Sequence, residues 1–180
     1  MRFVLSYDGD LKANGSKNHK QAIRRSMHLQ LEQLWTGTPY PSLRSPADSL
    51  CTRLDGWRFF PLASALRHEV VGLHVTMLSP AAVGAHLITH GGDIDNRLKT
   101  LFDALRMPHE KGELPRGDQP GEGEDPFFCV MSDDSLITEV SISTERLLTP
   151  AESRAVVKLL IEVQIKKHPP IGGSMVGRAG

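Results

Sequence analysis

The sequence predicts an α+β domain: a mixed, mainly antiparallel sheet with helices packed on one face. Three observations lead there. Apolar residues recur at helical spacing in two well-separated stretches, around Ile23 to Leu34 and around Ile94 to Leu105. Other stretches alternate apolar and polar residues with the period of a half-buried strand, and they are spread along the chain between the helices. A chain of 180 residues that is 39% hydrophobic and 23% charged is long enough for one core and too apolar for a disordered segment. Residues 1–168 are therefore expected to form one domain, with a disordered tail over 169–180.

Taken in order, "RFVLSY" is short, partly alternating and closed by "DGD", which reads as a first strand and a turn. From Lys17 to Trp35 the positions Ile23, Met27, Leu31 and Leu34 make one apolar stripe, with basic residues opposite, so a surface helix is expected. Thr36 to Ser64 is punctuated by Pro and Gly without a sustained period and reads as an irregular excursion, with one helical turn at Ala47 to Leu54. In "HEVVGLHVTML", Val71, Leu73, Val75 and Met77 alternate as a strand, and "SPAAVGAH" follows as a loop. Ile94, Leu98, Leu101, Phe102 and Leu105 form the continuous stripe of a second helix.

Residues 107–126 are rich in Pro, Gly and acid and read as a long mobile surface loop. "FFCVM" is a buried strand and "SDDS" a turn. The next strand has Leu136, Thr138, Val140, Ile142 and Thr144 on its inner face. "TPAE" at 149–152 has the capping-box pattern of a helical turn, and a last strand carries Leu159, Ile161, Val163 and Ile165 inward.

Composition excludes several classes. Cys51 and Cys129 form no CxxC pair, so neither a disulfide framework nor a zinc site is expected. No apolar run reaches the roughly 18 residues of a membrane span, and "MRFVLSYDGD" turns polar too early for a signal peptide, which implies a cytoplasmic protein. The formal net charge is zero, against a nonspecific nucleic-acid coat. The zero is a sum of opposites, however. Lys12, Lys17, Lys20, Arg24 and Arg25 cluster near the N-terminus with His19, and Glu110, Glu113, Asp118, Glu122, Glu124 and Asp125 crowd the later loop. The basic cluster fits phosphate contacts and fits equally a solvated helix face.

Polar groups gather at the mouth of the second helix. Asp93 and Asp95 are two apart, and on extended chain their carboxylates share a side, where mutual repulsion favours a hard divalent cation between them. Within the helix Asp95, Lys99 and Asp103 fall at i, i+4 and i+8, a polar stripe with Asn96 beside it. Each residue alone also fits a plainer role, an N-cap for either aspartate and an i,i+4 ion pair for Lys99. A second pair, Asp133 and Asp134, occupies the turn between two apolar strands, and oxygen ligands from both places suit one Mg2+. No HExxH, GxSxG, GxxxxGK[ST] or GxGxxG is present, and His74 and His90 read as structural histidines, with a supporting place beside the acidic mouth as the alternative for His90.

"GDIDNRLKTLFDAL" followed by "DDSLI" resembles the RusA family of Holliday junction resolvases, which carries a DxDNxxK element entering a helix that ends in DAL, then a DD pair opening the next strand. The resemblance implies a RusA-like fold in which Asp93, Asp95 and Asp134, with Asp133 beside them, hold a catalytic Mg2+ replaceable by Mn2+. Lys99 is then the catalytic lysine, and Asn96 and Asp103 stand next to the site. It further implies a homodimer that makes paired symmetric nicks in a four-way DNA junction, an activity of recombination and repair. Two alternatives remain: a nuclease for other branched or nicked nucleic acid, and an inactive nucleic-acid-binding module on the same scaffold.

Overall fold

A computed structural model describes residues 1–37, 48–79, 94–148 and 157–168. The elements are β1 (Arg2–Gly9), α1 (Lys17–Thr36), β2 (Thr52–Leu54), β3 (Trp57–Ala63), β4 (Glu69–Ser79), α2 (Ile94–Leu105), β5 (Phe127–Met131), β6 (Ile137–Arg146) and β7 (Val157–Lys167). Most of the sheet comes from the alternating stretches. In the order β1-β7-β4-β6, β7 is antiparallel to β1 and to β4, and only β4 and β6 run parallel. The fold is thus α+β with a mixed, mostly antiparallel sheet. Register places Leu73 opposite Val163 and Val75 opposite Ile161, so the alternate residues of β4 and β7 face one side together. That side forms the core with Leu5, with Ile23, Met27 and Leu31 of α1, and with Leu101 and Leu105 of α2.

The excursion is more ordered than its lack of period suggests. Asp48–Leu50 makes a short 3-10 turn, and β2 and β3 form a hairpin joined by Asp55 and Gly56, both at positive φ (48° and 88°). This two-residue geometry is the type I′ turn that "DG" favours. β3 then pairs in parallel with β5 as a second, three-stranded sheet. Phe60, Leu62, Phe128 and Val130 face the main core, while Trp57, Phe59, Phe127 and Cys129 face a second cluster closed by Leu114. A strand buried on both faces has no alternation to detect. Gly56→Ala, forced into the left-handed region, should cost about 1 kcal/mol, read as a lowered urea midpoint with an unchanged m-value.

Residues 107–126, expected as a mobile acidic loop, form the lid of that second cluster. Leu114 is buried, and Trp57 Nε1 donates to the Asp118 carbonyl at 3.3 Å. Three of the loop's acids turn inward: Arg25 bonds Glu124 at 2.8 Å and Asp118 at 3.1 Å, and Arg106 meets Glu113 at 2.9 Å, while Glu110 and Glu122 stay exposed. Arg25 also lies over the Trp57 ring at 5.4 Å, a cation–π contact. Part of the acidic composition therefore answers Arg25 of α1 and Arg106 within the same chain.

β6 departs from expectation as well. Leu136 is buried but belongs to the 3-10 turn before the strand, and Val140 and Ile142, expected inward with it, are 43% and 37% exposed. β6 is an edge strand, and of its side chains only Ile137, at its start, packs against the core cluster. The loop expected after Ser79, the helical turn at 149–152 and the C-terminal tail lie outside the described residues. Among the described residues no helix is long and apolar enough to cross a membrane.

His28 of α1 ties the two clusters together. Its Nδ1 accepts from Phe128 N at 2.9 Å, its Nε2 meets the Gly123 carbonyl at 3.1 Å, and its ring stacks on Phe127 at 4.3 Å. These partners require the neutral ring protonated at Nε2. Burial pulls its pKa below the usual histidine value, against the opposing pull of the Gly123 carbonyl. Below about pH 6.5 the unfolded chain takes up a proton that the folded ring refuses. Stability should therefore be level above that pH and fall as the pH drops towards the lowered folded value. Urea midpoints between pH 7 and 5 should slope downward, less steeply in His28→Asn.

Candidate functional site

The N-terminal half of α2 and the loop from β1 to α1 frame a small cleft of 180 Å³, lined by Asn14, Gly15, Lys20, Asn96, Lys99 and Asp103. The approach of loop to helix is set by Gly15. Its amide donates to Thr100 Oγ1 at 2.9 Å, and a Cβ there would stand 2.6 Å from Thr100 Cγ2. Thr100 in turn donates to the Asn96 carbonyl at 3.2 Å. No local signal in the sequence marks this contact, which spans eighty-five residues.

The residues singled out from the sequence divide into three groups. Asn96, Lys99, Asp103 and Lys20 meet at the cleft. Asp95 stands exposed in the first turn of α2, one carboxylate oxygen accepting the Asn96 amide at 2.8 Å. Lys99 is exposed and has no ion-pair partner among the described residues, so the plain i,i+4 pairing with Asp95 or Asp103 is not made. Asp103 is instead buried against α1, with Lys20 at 2.6 Å and Arg106 at 3.3 Å. Asp93, the partner of Asp95 in the sequence motif, lies outside the described residues.

Asp133 and Asp134 open the turn after β5. Asp133 is the N-cap of a short 3-10 turn, accepting the Ser135 amide at 2.8 Å, and its other oxygen is 3.1 Å from His109 Nε2. The Ser135 side chain and amide hold the Asp133 carboxyl below the usual range. Asp134 is exposed and makes no ion pair among the described residues. This turn packs beside α2, with Asp134 within electrostatic reach of Arg106 just past the helix end. From Asp95 to Arg106 is eleven residues, about 16 Å along a helix axis. Among the described residues no three of His, Cys, Asp and Glu lie close enough together to hold a metal ion. The donor chemistry of Asp95 and Asp134, open carboxylates, nonetheless suits a hard divalent cation.

The basic cluster does not act as one surface. Lys12 and Lys17 are exposed. Lys20 faces the cleft, and Arg25 is taken by the loop acids. Arg24, expected among the phosphate contacts, is 2% exposed. It donates to Gln21 Oε1 at 2.6 Å, to the Asp103 carbonyl at 2.7 Å and to the Arg106 carbonyl at 3.2 Å. Those carbonyls belong to the C-terminal end of α2, which leaves them without partners in its own helix. Arg24 thus caps α2 and is not available to a phosphate. His109, brought to the Asp133 turn by the loop, carried no motif in the sequence. Cys129 is inert, since burial pushes its thiol up to about 12.

No family model, curated protein or solved structure matches this chain.

Proposed function

We propose that the protein is a metal-dependent, structure-selective endodeoxyribonuclease of RusA type, acting as a homodimer on four-way DNA junctions in the cytoplasm. The observation that carries the reading is Lys99: an exposed lysine without an ion-pair partner among the described residues, lining a cleft beside Asn96 and one helical turn from Asp95. A lysine kept for helix stability would be expected to pair along its own helix. In this reading Asp93 and Asp95 would hold the cation at the mouth of α2, and Asp134, set beside the other end of that helix, would have to approach them to complete the ligand set. Asp133, whose oxygens meet Ser135 and His109, steadies the turn that presents Asp134. A Mg2+ or Mn2+ held there would supply Lewis-acid polarisation of the scissile phosphate and a more acidic water. Lys99 stabilises charge developing on the phosphate oxygens, and Asp103 keeps Lys20 at the cleft wall to meet a neighbouring phosphate. A two-fold dimer presents the same chemistry twice to a two-fold junction.

A second reading is a nucleic-acid-binding module without turnover on the same scaffold, in which Asp95 and Asp134 serve only as helix-turn and strand-turn residues. Titration with Mn2+ separates the two. The nuclease reading expects one site per subunit, lost in Asp95→Asn and in Asp134→Asn with the thermal melt of the apoprotein unchanged. No site in the wild-type protein would support the binder.

A further inference from the structure

We infer that residues 111–119, with the first turn of α1, form a second phosphate-binding pocket that holds the DNA backbone flanking the cleft. The inference rests on the nucleic-acid reading above and extends it to residues that no motif marked. The pocket is an open cavity of 620 Å³ whose wall includes Lys17, Asn18, Asp55, Lys111, Arg116 and Gln119. Three cations face one carboxylate, and that carboxylate is already neutralised: Lys111 Nζ is 2.7 Å from Asp55 Oδ1. Lys17 and Arg116 are exposed and have no ion-pair partner among the described residues.

The sorting of charge within the loop points the same way. Glu113, Asp118 and Glu124 are turned inward to Arg106 and Arg25, while Lys111 and Arg116 line the cavity. A segment that reads as acidic in composition therefore shows an excess of positive charge to this opening. The cavity and the cleft both have a wall on α1. Lys17 is in the wall of one and Lys20, three residues on and so on the same side of α1, is in the wall of the other. A sugar-phosphate strand seated at Lys99 and Lys20 has its next cationic partners at Lys17 and Arg116. Such contacts add affinity and register without reading bases.

The test is the salt dependence of binding to a fluorescent four-way junction, measured without divalent metal, for wild type and for Lys17→Ala with Arg116→Ala. Losing two phosphate contacts should lower the slope of log K against log salt by about 2. The control Arg146→Ala, an exposed cation on β6, should leave the slope unchanged. An unchanged slope in the double variant, an equal fall in Arg146→Ala, or a wild-type protein that binds no DNA would overturn the pocket. Cleavage is a separate readout. A reduced slope without cleavage by wild type removes the nuclease and keeps the pocket, and cleavage with an unchanged slope does the reverse.

Discussion

Lys99→Ala is expected to lower junction cleavage at saturating DNA by about 10²–10³-fold, the usual cost of removing one preorganised group that meets charge in the transition state. Junction affinity should change little, because Lys99 is one of several cations around the cleft and its main contribution arises as charge develops. Lys99→Arg should recover part of the rate, the guanidinium keeping the charge but not the position. The structure makes the substitution interpretable. Lys99 is exposed, and no ion pair among the described residues is broken by its loss, so the fold should melt at the wild-type temperature. A variant that cuts at the wild-type rate would return Lys99 to the solvated face of α2.

Arg24→Ala should destabilise the fold by about 3 kcal/mol, the sum of two or more buried hydrogen bonds to a charged donor. The guanidinium sits where α1 crosses the end of α2 and donates to two carbonyls there and to Gln21. Burial pulls its pKa below the usual arginine value, and Asp103 and Glu113 nearby oppose the shift. A cation at the negative end of a helix dipole adds to the effect. Arg24→Lys should restore less than half of the loss, since one ammonium cannot span the fork of acceptors. The urea midpoint is the readout. A loss below about 1 kcal/mol would mark Arg24 as an ordinary surface cation.

Much of the main sheet was legible because one face of it is buried. Val71 to Met77 and Leu159 to Ile165 alternate, and the structure places those residues in the core. α2 was legible through its stripe from Leu98 to Leu105. The hairpin of β2 and β3 was missed although Asp55-Gly56 is a strong turn signal, because its flanking strands do not alternate: one is three residues long and the other is buried on both faces. The role of residues 107–126 was missed for a different reason. Two of their partners, Trp57 and Arg25, are distant in sequence, and the loop has no period of its own. At the site, composition placed Lys20, Arg24 and Arg25 in one basic surface, whereas packing separates them into a cleft wall, a helix cap and a loop clasp. Asp95, Asn96 and Lys99 share one end of α2 as their spacing required. How Asp93 stands to them falls outside the described residues.

The most direct measurement is cleavage of an end-labelled four-way junction beside a linear duplex of the same arms, in Mg2+ and in chelator, by wild type and Asp134→Asn. Paired nicks at symmetric positions are expected in the junction, none in the duplex, and none with chelator or with the variant. Binding of the junction without any cut in Mg2+ or Mn2+, equal for wild type and Asp134→Asn, would contradict it and leave Asp95 and Asp134 as a helix-turn and a strand-turn residue.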